Sequence, residues 1–210
     1  LLIIFLFFIN YLILGLTTKE LLNCLALKLS ISEAFAISII TGFYNIITPF
    51  RGGMAVRAFY LKKKHDFPYS DFAASLWVSY ILIFLVSSFI GIIATLVIYL
   101  QEKILSWIVL SVFSVVFIFL LTIIIFSPKI APSKNKWINK FIKVINGWHL
   151  IKTNKRVIFS VSLLSLLQLI ISAIMLQLQF KVFNIEVGFI KSIFLTAISS
   201  LGIIIGLTPA

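Results

Sequence analysis

The chain has little charge, few acids and a single cysteine. Only 11% of its 210 residues are Asp, Glu, Lys or Arg, against about 25% in a soluble domain. Too few charged side chains are present to wet the surface of a cytosolic enzyme, and the scarcity equally excludes a disordered chain. Cys24 has no second cysteine to pair with, which excludes a secreted disulfide scaffold. Six acids in all are too few and too peripheral for a proton relay inside a membrane. The two histidines, His65 and His149, lack Cys, Asp or Glu at metal-ligand spacing, and no Gly-rich nucleotide loop occurs. No catalytic residue, metal or cofactor is therefore expected, and the chain is read as a non-enzyme.

What the sequence does have is apolar length. It is 61% hydrophobic and 15% aromatic, with a mean hydropathy of +1.18. Charge-free stretches cover 1–18, 34–50, 72–101, 104–128, 157–180 and 192–210. A helix needs roughly 20 apolar residues to cross a bilayer core about 30 Å thick. The runs are continuously apolar, without the alternation of a barrel strand. The expectation is an all-α, polytopic transmembrane helix bundle of about six spans, forming one domain over 1–210. The chain starts without Met and is apolar at both ends, so it reads as a fragment cut in or near a span. The weakest span is 34–50, which either crosses fully or dips in and returns as a re-entrant segment.

The 18 Lys and Arg outnumber the six acids to give a net charge of +12. On a soluble body that surplus would suggest nucleic acid; here its position argues otherwise. Residues 51–71 hold five cations and two acids, and residues 129–156 hold eight cations and no acid. Two crossings separate these loops, so both can lie in the cytoplasm, as the positive-inside rule requires. The same alternation puts the start of the chain inside and the nearly neutral loops 19–33 and 181–191 outside. No nucleic-acid partner is expected.

The segment 41–64, TGFYNIITPFRGGMAVRAFYLKKK, is the most informative. Thr41, Asn45 and Thr48 share one helical face, costly against lipid but suited to a bundle interior. Pro49 then interrupts the helix, and Gly52 and Gly53 free the backbone to turn, placing a break or re-entrant turn within 34–57. Arg51 and Arg57 flank the break. Free backbone N–H groups beside a guanidinium fork suit a phosphate. The alternative is a kinked helix whose arginines mark the inside and snorkel to headgroups.

Residues 49–61, PFRGGMAVRAFYL, resemble the signature of the lysylphosphatidylglycerol synthase transmembrane region, or flippase-like, family. Asn45, Pro49, Arg51, Gly53, Arg57 and Leu61 match its pattern; Met54 stands where many members carry Glu. The following span at 76–84, LWVSYILIF, lacks the acid–base pair often found there. GIIIGLTPA at 202–210 is similar to the start of the family's late Pro-Gly-rich element. The resemblance implies a multi-pass protein of a prokaryotic cytoplasmic membrane that binds and translocates a phospholipid or polyprenyl-linked lipid. Membrane lipids, an anionic phospholipid or a polyprenyl phosphate, are then its partners, with Arg51 and Arg57 on the phosphate and Asn45, Thr48, Pro49, Gly52 and Gly53 shaping the groove. The alternatives to that reading are the membrane half of an aminoacyl-phosphatidylglycerol synthase, or a non-catalytic membrane partner of a lipid-linked glycosyltransferase.

Two further patterns stand apart from that segment. Trp137, Ile138, Phe141, Ile142, Ile145 and Trp148 recur at helical spacing opposite Lys136, Lys140 and Lys143, an interfacial amphipathic helix near 135–149. It either anchors and orients the chain or also gathers anionic lipid. Ser162, Ser165, Gln168 and Ser172, and separately Ser199, Gly202 and Gly206, form small or polar stripes. Such faces pack helices together and offer a route to oligomers.

Overall fold

The computed structural model describes residues 1–48, 52–103, 105–126, 131, 139, 142, 146 and 154–202. Seven helices occur among them: α1 (Leu2–Cys24), α2 (Ile31–Ile47), α3 (Gly53–His65), α4 (Tyr69–Glu102), α5 (Trp107–Phe126), α6 (Lys155–Val182) and α7 (Phe189–Gly202). No strand occurs among the described residues. The architecture is the all-α, polytopic kind expected. Helices α1, α4, α5 and α6 are long and apolar enough to cross a membrane. Helix α2, at 17 residues, is apolar but shorter, and of the expected span 192–210 only the part to Gly202, in α7, lies among the described residues, so helices of full spanning length among the described residues number four. The amphipathic stretch at 135–149 lies outside the described residues except for Asn139, Ile142 and Asn146, each helical. Gly206 also lies outside them.

The described residues fall into two compact units, one drawn from Leu1–Asn10, Ile83–Phe126 and Ser165–Thr208, the other from Tyr11–Leu82 and Ser127–Leu164. In the first, Phe113, Leu169, Ala197 and Leu201 make the buried cluster. Gly91 lets the Phe113 ring come against the α4 backbone, where a Cβ would collide with it. Ser165, from the polar stripe of α6, is buried here with its hydroxyl unpartnered among the described residues. In the second unit, Leu22, Leu29, Ala34, Ile37, Leu61, Phe67 and Phe72 form the core. Lipid tails are as apolar as leucine, so within the bilayer such clusters gain from dispersion packing rather than from escape from water. The same reasoning accounts for exposed Ile108, Phe119 and Phe126 on α5, a patch that would drive aggregation in water.

The stretch 51–71, expected as a loop, contains α3. Its sequence explains the helix: Ala, Met, Leu, Arg and Lys dominate, all strong helix formers. Lys62, Lys63, Lys64 and His65 fill the last turn, where the macrodipole favours cations. Asp66 ends it in a left-handed conformation, φ 51°. At the start of α2, Ser30 caps the helix by accepting the Glu33 N–H at 3.1 Å.

Helices α2 and α3 pack as an antiparallel hairpin. Glu33, in the first turn of α2, meets Tyr60, Lys64 and His65 near the end of α3. Ser38 meets Arg57, and Thr41 and Asn45 sit against Gly53. The chain therefore returns to the level where α2 began. Of the two readings of 34–50, this geometry matches the one that dips and returns. It also sets the connections on either side of the hairpin, 25–30 and 66–68, at the same end, whereas strict alternation had placed 19–33 and 51–71 on opposite sides. Alternation assumes that every apolar run crosses; here the polar and small side chains on the facing surfaces of α2 and α3 favour a return instead.

Candidate functional site

Arg57 is the centre of the second unit's polar interior. On α3, Gly53, Arg57 and Leu61 lie one turn apart and face α2; on α2, Ser38, Thr41 and Asn45 face back. All of Gly53, Arg57, Leu61, Ser38 and Thr41 are buried. The close approach depends on Gly53, since a Cβ there would run into the Thr41 carbonyl oxygen and the Asn45 amide oxygen. Gly52 has φ −58° and ψ −15°, an ordinary right-handed conformation. The two glycines thus supply room rather than the backbone freedom expected of them: at Gly52 a Cβ would meet the Thr48 side chain.

Arg57 is 5% exposed. Its Nη2 donates to Thr18 Oγ1 at 2.7 Å on α1 and to Ser38 Oγ at 3.3 Å on α2. Each hydroxyl spends its own proton on a carbonyl of its helix, Thr18 on Leu14 at 2.9 Å and Ser38 on Ala34 at 2.9 Å. Both therefore turn lone pairs to the cation. The Nε–H has no partner among the described residues, and no carboxylate there pairs with this arginine. Arginine stays protonated at neutral pH even when buried. A buried cation held by neutral hydroxyls is costly, by several kcal/mol, unless an anion completes it. In the same unit Thr17 Oγ1 and Asn45 Oδ1 are also buried without partners among the described residues.

The expected site residues divide accordingly. Arg57, Asn45 and Gly53 come together with Thr41, and the snorkelling alternative does not hold for Arg57, whose side chain points into the protein. Thr48 Oγ1 bonds back to the Tyr44 carbonyl of its own helix and does not join them. Pro49 and Arg51 lie outside the described residues. Thr18 and Ser38 were missed. Ser38 had a legible signal, standing three residues before Thr41 on the same face; Thr18, 39 residues from Arg57 in the chain, had none. The sequence model of the lysylphosphatidylglycerol synthase TM region matches residues 1–210. The chain belongs to this family. No curated protein and no solved structure matches it.

In this member of the lysylphosphatidylglycerol synthase TM region family, a second cluster closes the open end of the hairpin. One oxygen of Glu33, Oε1, accepts from the Tyr60 hydroxyl at 2.7 Å and from Lys64 Nζ at 2.8 Å, and His65 Nε2 lies 2.8 Å away. Lys64 also donates to the Tyr60 hydroxyl at 2.9 Å. The Lys64 bond is the main cause that holds the Glu33 carboxyl down at about 2, opposed by burial and helped by His65 and Tyr60. A carboxylate depressed in the fold stabilises it fully above its ordinary pKa, near 4.5, and loses that contribution as pH falls toward 2. The melting temperature in detergent should accordingly decline through this window in the native chain. In Glu33→Gln that part of the decline should vanish, and an unchanged pH profile would remove Glu33 from the account.

Proposed function

We propose that this chain is a membrane domain that binds the phosphate of an anionic lipid at Arg57 and passes that lipid between leaflets of a prokaryotic cytoplasmic membrane. Phospholipid and polyprenyl phosphate share the chemistry needed. The domain works by binding, without bond-making chemistry of its own. One observation carries the reading: a guanidinium buried among hydroxyls, with donor capacity to spare and no carboxylate partner among the described residues. A phosphate supplies the missing charge and accepts from the planar fork through two oxygens. Helix α3 begins at Gly53 without a side-chain cap, so its first N–H groups add to the attraction for an anion. Family membership supports a lipid partner.

A second reading has its own observation. By bonding to Thr18 and Ser38, Arg57 links α1 and α2 to α3, the work of a structural clasp. Lipid selectivity separates the two. Purified protein is mixed with equal amounts of phosphatidylglycerol and of diacylglycerol bearing the same acyl chains, and retained lipid is read by native mass spectrometry. A charged hydrogen bond contributes about 1.5–3 kcal/mol, so phosphatidylglycerol should be preferred about 10- to 100-fold. Equal retention overturns the phosphate site.

A further inference from the structure

Contacts at the helix ends sort those ends into two groups. Helices α1, α4, α5 and α6 are each long enough to cross, so the two ends of each lie on opposite membrane faces. Asn154, preceding α6, donates to Cys24 Sγ at the end of α1 at 3.6 Å. Glu33 at the start of α2 holds Lys64 and His65 at the end of α3. Lys191 in the first turn of α7 pairs with Glu102, the last residue of α4, at 2.6 Å. The connections α1–α2, α3–α4, α4–α5 and the one before α7 are short, so these contacts group the ends within each unit. Within the second unit, the ends of α1 and α3 and the starts of α2, α4 and α6 lie together at a first face. Within the first unit, the ends of α4 and α6 and the starts of α5 and α7 lie together at a second.

The cations follow the same division. In the sequence, the stretches around the ends at the first face, 19–33 and 62–71, and the stretch 127–156 that leads into α6 carry 13 of the 18 Lys and Arg. Lys103, Lys181 and Lys191 lie by the ends of α4 and α6 and the start of α7, and Arg51 and Arg57 make up the rest. The positive-inside rule makes the first face cytoplasmic.

The hairpin has its own polarity. Helix α2 is about 25 Å long and α3 about 20 Å, both short of the hydrocarbon core. Near the tip, α2 exposes Phe43 at 57% and Ile46 at 64%, with Ile40 and Ile47 beside them. The open end carries Lys62, Lys63 and Lys64. An apolar tip and a cationic base suit a segment whose tip lies in hydrocarbon and whose base lies among headgroups. Arg57 stands seven residues in from Lys64, about 10 Å along the helix.

We infer that α2 and α3 form a re-entrant hairpin inserted from the cytoplasmic face, holding Arg57 in the inner half of the membrane, with residue 1 on the outer face. This replaces the cytoplasmic start that loop alternation suggested. If Arg57 is the lipid site proposed above, the inner leaflet supplies the headgroup; that clause rests on the earlier reading, while the hairpin itself does not.

The test is cysteine accessibility in the full chain expressed in bacterial inner membrane. Lys28→Cys, Lys63→Cys, Ile46→Cys and Ile185→Cys are each placed in a Cys24→Ser background and treated with a membrane-impermeant maleimide. Ile185→Cys should be labelled from the outer side, Lys28→Cys and Lys63→Cys only from the cytoplasmic side, and Ile46→Cys from neither. Opposite sidedness of Lys28→Cys and Lys63→Cys would overturn the hairpin, because α2 would then cross without α3 returning; if both crossed, Ile46→Cys would be labelled from the outer side. Labelling of Ile46→Cys from either side overturns the buried tip, and outer labelling of both lysine sites overturns the cytoplasmic assignment. Lipid selectivity is read separately, so a failed phosphate site leaves this pattern unchanged.

Discussion

Arg57→Met abolishes the preference for phosphatidylglycerol over diacylglycerol and leaves the melting temperature at or above that of the native chain. The two halves of this expectation have separate causes. Removing the guanidinium removes the charged donors to phosphate, worth about 1.5–3 kcal/mol per bond, so selectivity should fall about 10- to 100-fold. Methionine fills much of the same volume without a charge to desolvate. Exchanging buried ionic groups for apolar ones of similar size is often neutral, or stabilising by about 1–4 kcal/mol. Thr18 and Ser38 keep the bonds they donate to Leu14 and Ala34, so neither hydroxyl proton is stranded. Arg57→Lys is the companion variant. It keeps the charge but loses the planar fork, and should recover only part of the selectivity. A clasp would show the opposite pattern: Arg57→Met would unfold more readily while lipid selectivity stayed the same.

Gly53→Ala lowers stability by about 3 kcal/mol, the upper end of what overpacking costs. On helix propensity alone this change should stabilise by about 1 kcal/mol, since alanine is the better helix former. The collision decides the sign. The new methyl would meet the Thr41 carbonyl oxygen and the Asn45 amide oxygen; the first is backbone in the middle of α2 and cannot move without disturbing that helix. Gly42→Ala is the natural control. There the methyl meets the Tyr11 ring, a side chain able to turn aside, and the loss should be smaller. Thermal melts in detergent measure both. Arg57 lies one turn beyond Gly53 on the same face, so Gly53→Ala should also weaken phosphatidylglycerol retention. A more stable Gly53→Ala would show that α2 and α3 do not pack closely.

Parts of this site are legible in the amino-acid sequence. The Thr41–Asn45 face is visible as a polar stripe on an apolar run, and it is the face that meets α3. Arg57 is visible as a cation beside a helix break, within a motif resembling the family to which the chain belongs. Its surroundings are not legible. Nothing near Thr18 in the sequence points to a guanidinium 39 residues later, and Glu33 resembles an ordinary first-turn acid until Tyr60, Lys64 and His65 close around it. The glycines read as turning points, though their use is space, a property of the neighbouring helix rather than of the local backbone.

By itself the sequence determined that this is a polytopic α-helical membrane protein, and roughly where α1, α2, α4, α5 and α6 lie. Partition into lipid is a property of each segment alone: a run of apolar residues carries its transfer free energy wherever it sits, and its backbone must be helical to satisfy its own hydrogen bonds there. The tertiary structure decided that α3 runs back along α2, and that Arg57 points inward to hydroxyls of α1 and α2. Those outcomes depend on two helices coming close enough for Gly53 to touch the Thr41 carbonyl and for Arg57 to reach hydroxyls on two others. That energy belongs to pairs of segments distant in the chain, and neither member of a pair carries it alone.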